Sequence, residues 1–198
     1  LYVAGSQLYS GGTHSHAAAT GRYAGRKAAG YACNAKLGEV DRKQIATEQA
    51  RVYAPVERKD GIGWIELRAG LCRVMQDYCG EFKSEKILEM GLRWMKSIRE
   101  SEAPTAFARN PHELCRVLEC HTHITIGEII MHASLARKAS SRLLDFNRLD
   151  YPNVDPPEWN KIVTTRLENG SVKVGELPQR YWLLPPYASS CEENYRKH

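Results

Sequence analysis

The chain has 198 residues, of which 42% are hydrophobic and 26% charged, and its formal net charge is +5. This length carries one substantial core, or one core with appendages. No apolar run approaches the roughly 20 residues of a bilayer span, and the basic residues are scattered, which argues against membrane insertion and against nucleic acid as a partner.

Leu1-Tyr2-Val3-Ala4-Gly5 reads as a buried strand without an initiator Met, so it is expected to continue from a larger nucleotide-binding domain. It runs into the glycine loop Ser10-Gly11-Gly12-Thr13-His14-Ser15-His16, and an Ala/Gly-rich helix follows to about Gly30. A strand, a glycine turn and a helix N-terminus make unpaired backbone N–H groups converge, which forms a cradle for an anionic or dipolar ligand. His14 and His16 are candidate donors to a bound anion or a developing negative charge. The plainer alternative is a turn whose histidines bond locally.

Residues 34–60 read as a polar connector with a short helix near 39–53, stopped by Pro55. Residues 62–78 predict an amphipathic helix whose face is Trp64, Leu67, Leu71, Val74, Met75 and Tyr78, with Gly80 as terminator. Ser84 is the expected N-cap of a second helix, with Glu85 in its first turn. Its stripe is Ile87, Leu88, Gly91, Leu92, Trp94, Met95 and Ile98, and residues 101–105, with Pro104, end it. A third helix starts with Asn110 as N-cap, Pro111 at N1 and Glu113 at N3. Its face runs through Leu114, Val117, Leu118, His121, Thr125, Glu128, Ile129, His132 and Leu135 toward Ser141. Three helices with short joins predict an antiparallel bundle.

Beyond the bundle, the prolines in residues 151–159 enforce extended or turned backbone. Asn169-Gly170 between alternating residues predicts a type I′ hairpin over residues 162–175. Residues 177–187, with Trp182 and three prolines, are expected to bury aromatics without regular pairing. The predicted fold class is therefore mainly α. Residues 1–33 form a strand–loop–helix, 34–60 a connector, 61–148 a three-helix bundle, and 149–198 an extended tail carrying the hairpin.

The six cysteines lack the close spacing of a disulfide scaffold and read as reduced thiols of a cytoplasmic protein. Cys115, Cys120, His121 and His123 are zinc ligand types, but their spacing spreads them around a helix, so no metal site is expected. Cys72 and Cys79 read as core residues. Arg137, Lys138, Arg142 and Arg148 cluster near the end of the third helix, where they complement its dipole or contact an anion or partner.

The order of elements resembles the C-terminal part of the fumarate reductase/succinate dehydrogenase flavoprotein family, which includes aspartate oxidases and the adenylylsulfate reductase alpha subunit. The strand–loop–helix of residues 1–30 looks like its last FAD-contacting piece. Leu67-Arg68-Ala69-Gly70-Leu71-Cys72-Arg73-Val74-Met75-Gln76 looks like the first helix of its C-terminal bundle, and residues 87–98, with Gly91-Leu92, resemble the second. Arg148-Leu149-Asp150-Tyr151-Pro152, then Asp155 and Trp159, resemble its arginine–acidic–Asp-Tyr-Pro and Asp-Asp-x-x-Trp endings. Two stretches depart: Ser15-His16-Ala17-Ala18-Ala19 replaces arginine–small–glycine–glycine–Asn-Ser, and Ser140-Ser141-Arg142 replaces Glu-Ser-Arg. The loop and long tail lean toward adenylylsulfate reductase-like members.

The resemblance implies FAD contacts from Gly11, Gly12, Thr13, Ser15 and His16, with His14 or His16 on the substrate side and Gly21 and Gly25 permitting close packing. It also implies an iron–sulfur partner subunit, an FAD-dependent oxidoreductase as the whole protein, and a fragment that neither retains FAD nor acts alone. The competing expectation is a noncatalytic helical interaction module or accessory subunit.

Overall fold

The structure, a computed structural model, describes residues 2–7, 13–36, 38–169 and 171–178. Leu1, Gly11, Gly12, Gly170 and residues 179–198, which include Trp182 and Cys191, lie outside the described residues. The chain divides into two compact units, Leu1–Ala46 and Thr47–His198.

In the first unit, helix α1 (His14–Asn34) forms as a 21-residue element. The expected strand does not form: Tyr2 to Ala4 belong to no strand, and Gly5–Gln7 makes a 3-10 turn. Strand backbone needs a ladder for its donors and acceptors. Here Gly5, at φ +62°, turns the chain, and its N–H bonds Thr20 Oγ1 at 2.9 Å. The Tyr2 hydroxyl donates to the Lys27 carbonyl at 3.2 Å.

The second unit opens within α2 (Arg42–Glu57), which runs past Pro55 instead of stopping there. Pro55 has no N–H to donate, but it is fully buried and its carbonyl accepts from Ala108 N at 2.9 Å. Gly61, at φ +142°, leads into α3 (Trp64–Tyr78); a Cβ there would stand 1.9 Å from the Thr105 carbonyl oxygen. The Glu66 carboxylate accepts from Gly63 N at 2.9 Å, fixing the start of α3.

Helix α4 (Glu85–Ser97) is capped by Ser84, whose Oγ accepts from Ile87 N at 3.4 Å. A π-helical turn, Ile98–Glu102, and a 3-10 turn, Ala103–Thr105, end it where Pro104 was expected to. Helix α5 (Pro111–Ala136) starts as the sequence predicts, with Glu113 N donating to Asn110 Oδ1 at 2.9 Å. The Glu113 carboxylate reaches one residue further back than a capping box requires, to Arg109 N at 2.7 Å.

The three helices α3, α4 and α5 pack as an antiparallel bundle around Leu67, Leu71, Leu88, Met95, Val117, Ile124 and Met131, all at most 3% exposed. Trp94 leaves the predicted stripe and is 52% exposed, because the buried line of α4 runs Leu88, Gly91, Met95, Ile98. The buried line of α5 is Val117, Cys120, Ile124, Gly127, Met131 and Ser134. From residue 118 onward this lies one residue before the predicted face, a rotation of about 100°. The apolar and small residues gain the core, and His121, Thr125, Glu128 and His132 move to its rim.

Helix α5 ends at Ala136, short of Ser141, because Arg148 takes its last carbonyls. The guanidinium, only 1% exposed, donates from Nη1 to the carbonyls of Ser134 (2.6 Å) and Arg137 (2.9 Å). Nε and Nη2 hold the two Asp150 oxygens at 2.8 Å each, and Asp150 Oδ2 accepts from Glu85 N at 2.8 Å. The pair of strands β1 (Phe82–Lys83) and β2 (Asn147–Arg148), which are parallel, seats this clamp beside α4. The predicted hairpin is present as β3 (Lys161–Glu168) and β4 (Ser171–Pro178), antiparallel, with Glu168 opposite Ser171. Asn169 adopts φ +49°, as a two-residue primed turn demands. The hairpin packs on α5.

Two outcomes test this packing. Asp150 is held well below the ordinary carboxylate range, at about 2, first by the Arg148 hydrogen bonds and then by the Glu85 N–H. Stability from this group is thus complete above its unfolded pKa and disappears as pH falls through the folded value. The urea midpoint of the wild type should drop between about pH 4 and 2, whereas Asp150→Asn should lower it at neutral pH and flatten that acid slope. A Cβ at Gly91 would meet Tyr78 Cβ at 2.6 Å, but at Gly127 mainly the flexible end of Met95 at 2.7 Å. Gly91→Ala should therefore destabilise by about 1–3 kcal/mol. Gly127→Ala should stay within about 1 kcal/mol, since the helix-propensity gain of alanine offsets a small shift of methionine; chemical denaturation distinguishes the two.

Candidate functional site

The residues singled out from sequence begin a helix rather than a loop. Thr13 is the N-cap of α1, in extended conformation (φ −88°, ψ −177°), and His14, Ser15 and His16 form its first turn. Thr13 does not cap the turn with its side chain; its hydroxyl lies 2.8 Å from Ser15 Oγ. Thr20 Oγ1 donates to the His16 carbonyl at 2.7 Å while accepting from Gly5 N, so the turn is braced from within its own unit.

No acidic residue occupies the first turn. The positive end of the helix macrodipole, roughly half a charge, is therefore not offset there by a carboxylate of that turn. His14 and Ser15 are exposed and His16 is half-buried. Two residues apart on a helix, the imidazoles project about 200° apart, so they do not act as a pair on one atom. Gly11 and Gly12 lie outside the described residues. None of the α1 side chains is buried, and a Cβ at Gly21 or Gly25 meets no atom within 4 Å.

The other candidates separate. Cys120 is buried and its thiol points to the Trp64 carbonyl, 3.7 Å away, whereas Cys115 and His123 are exposed. Cys79 is half-buried, and burial pushes its thiol pKa up. Of the basic cluster, Arg148 serves the α5 terminus, and Arg137 lies buried over the Trp159 ring at 5.7 Å. Lys138 and Arg142 are exposed.

Sequence reasoning missed two grooves, both in the second unit. One, of about 760 Å³, lies between the hairpin and the rim of α4 and α5, with Lys96, Glu128, His132 and Arg166 in its walls. The other, about 700 Å³, is bounded by α2, the 3-10 turn and α5, and its polar residues are Arg51, Arg58, Arg99, His121, Thr122 and Thr125. Arg99 borders both and is held by Glu128 Oε1 at 3.0 Å and Oε2 at 2.5 Å. Burial first pushes His121 below the usual histidine range; its bond to the Ala103 backbone opposes this, and Arg51, Arg58 and Arg99 add to the depression. The signal in sequence was the polar series His121, Thr125, Glu128, His132 within an otherwise apolar helix.

Residues 68–190 match the family profile described as fumarate reductase flavoprotein C-term. Among curated proteins none matches significantly. The structure is similar to adenosine-5-phosphosulfate reductase in complex with sulfite, at 21% identity and a TM-score of 0.66, covering 72% of this chain and 25% of that one. It is also similar to E. coli quinol fumarate reductase, at 20% identity and a TM-score of 0.69, covering 86% and 30%. The Mycobacterium smegmatis Sdh1 complex in its apo form gives 20% and 0.69, with 89% and 31% covered. At these identities the likeness is one of fold, and the chain spans less than a third of each of these proteins. No described helix is long and apolar enough to cross a membrane.

The groove geometry yields one measurable outcome. In a proton NMR titration, His121 should change charge below the ordinary value of 6.5, and Arg58→Met, which removes one of the cations facing it, should move the midpoint upward.

Proposed function

The chain belongs to the fumarate reductase flavoprotein C-terminal family, and from that membership we propose that it is the C-terminal part of an FAD-dependent oxidoreductase subunit. The observation that carries the reading is the family match across residues 68–190, which takes in the bundle from within α3 onward and the hairpin. It favours a flavoprotein fragment over a separate helical interaction module.

The residues at the start of α1 fit a flavin. Backbone N–H groups at a helix start are available to a ligand, the Thr13 side chain does not cap the turn, and no carboxylate of that turn repels added charge. FAD, when bound, supplies two-electron exchange with a small oxidisable or reducible substrate. The residues that would hold FAD are Thr13, Ser15 and His16, together with Gly11 and Gly12. The α1 dipole stabilises negative charge there. The more exposed imidazole, His14, is our candidate to donate a hydrogen bond or proton to an anionic substrate, with His16 on the other side of the turn. The lack of any buried side chain on α1 and the open space at Gly21 and Gly25 support a role in which the rest of a flavin domain packs on this helix. Fumarate, succinate and adenylylsulfate are the substrates to assay, with an iron–sulfur subunit as the electron partner.

The full-length protein should purify with flavin absorbance, and a colourless full-length protein would sink the reading. With a reduced dye as donor for fumarate or adenylylsulfate, and an oxidised acceptor for succinate, His14→Ala should lower kcat/KM at least about tenfold while FAD content stays unchanged. Loss of FAD, rather than of turnover, would move His14 from the substrate to the cofactor.

A further inference from the structure

The groove between α2 and α5 has a composition that the flavin reading does not use. Its polar wall carries three guanidinium groups, Arg51, Arg58 and Arg99, and none of its lining residues is acidic. Arg51 lies on α2, and Arg58 follows directly after the last residue of that helix, Glu57. Arg99 approaches from the π-helical turn after α4. We propose that this groove is a binding site for a small phosphate-bearing anion, held by Arg51, Arg58 and Arg99.

Three observations support the assignment. First, the carboxylates that pair with Arg51 and Arg99 lie outside the groove's lining, while Arg99 Nη2 also reaches the lining residue Thr125, with Oγ1 at 3.3 Å. Arg51 is gripped by Glu48, with Nε to Oε2 at 2.8 Å and Nη2 to Oε1 at 2.6 Å, and Arg99 is gripped by Glu128. Neither carboxylate belongs to the lining of this groove, so no acidic group stands in its wall. Second, Arg58 is half-buried and anchored by Nη1 on the Ala106 carbonyl at 2.7 Å, and among the described residues no carboxylate pairs with it. A part-desolvated guanidinium with a fixed direction and no counter-charge is the strongest anion contact available here. Third, the charges converge: all three arginines act electrostatically on the same imidazole, His121, at the groove wall.

The size suits a small molecule. A volume of about 700 Å³ lies inside the range of ligand clefts, roughly 300–1,000 Å³. Pro104 and Leu118 supply an apolar wall for the body of a ligand whose phosphate faces the arginines. Arg58, together with the nitrogens that Glu48 and Glu128 leave open on Arg51 and Arg99, offers donors to the several acceptor oxygens of a phosphate or diphosphate. The assignment uses no residue of α1 and does not depend on the flavin reading.

The test is calorimetric titration of the full-length protein with pyrophosphate, and in parallel orthophosphate, at ionic strength matched with chloride. Saturable binding is expected, tighter for pyrophosphate. Arg58→Met should weaken it about tenfold, the loss of one charge-assisted hydrogen bond. Arg51→Gln should weaken it several-fold, and because Arg51 is exposed this variant keeps the test alive if Arg58→Met fails to fold. Glu48→Gln should tighten binding by freeing Arg51, an effect that a merely structural arginine would not give. Absence of saturable binding, or binding that Arg51→Gln and Glu48→Gln both leave unchanged, overturns the assignment.

Discussion

A guanidinium taken out of water must find an acceptor for each of its donors and a counter-charge as well. Arg148 finds both by joining two helix ends that lie far apart in sequence. Its Nη1 collects carbonyls that the end of α5 leaves open, and its other nitrogens grip Asp150, whose carboxylate in turn takes a backbone N–H at the start of α4. Negative helix end, arginine, aspartate and positive helix start alternate in sign along this line. The surrounding turn is committed to the same purpose. Ser140 Oγ accepts from Arg148 N, and Tyr151 places its ring 5.0 Å from the guanidinium. The bundle therefore has an electrostatic closure at one end as well as an apolar core.

The closure also decides what the basic residues near α5 mean. In sequence, Arg137, Lys138, Arg142 and Arg148 form one cluster that suits a dipole or an anion equally well. In the structure they separate: two are buried for structural reasons and two face solvent. A run of like charges is no guide to shared purpose once a turn intervenes, because burial selects individual members.

Much of the bundle was legible because its signals are local. Ser84, Asn110 with Pro111, and the Asn169 turn each act within a few residues, and each sits where the sequence predicts. The α5 face was not legible to the same degree. Two stripes one residue apart carry comparable hydrophobicity there, and only packing against Gly91, Met95 and Met75 selects the one containing Cys120, Gly127 and Met131. That choice placed His121 and Thr125 on a groove, which is why the arginine-lined site could not be read beforehand. Pro55 was misread for a related reason, since burial and the Ala108 contact outweigh a missing donor. At the N-terminus the helix was plain from composition. Its first turn is not separable from a loop in sequence, because histidine and serine beside glycine carry the signature of either.

The junction at Gly61 has a bearing on how this chain tolerates change. With the Thr105 carbonyl where any side chain would begin, and φ at +142°, position 61 admits no L-residue without moving the segment that carries Pro104. That segment is also one border of the arginine-lined groove. Drift at an inconspicuous linker residue would thus reshape a surface whose own residues were untouched, so Gly61 and the groove form one mutational unit despite their different chemistry.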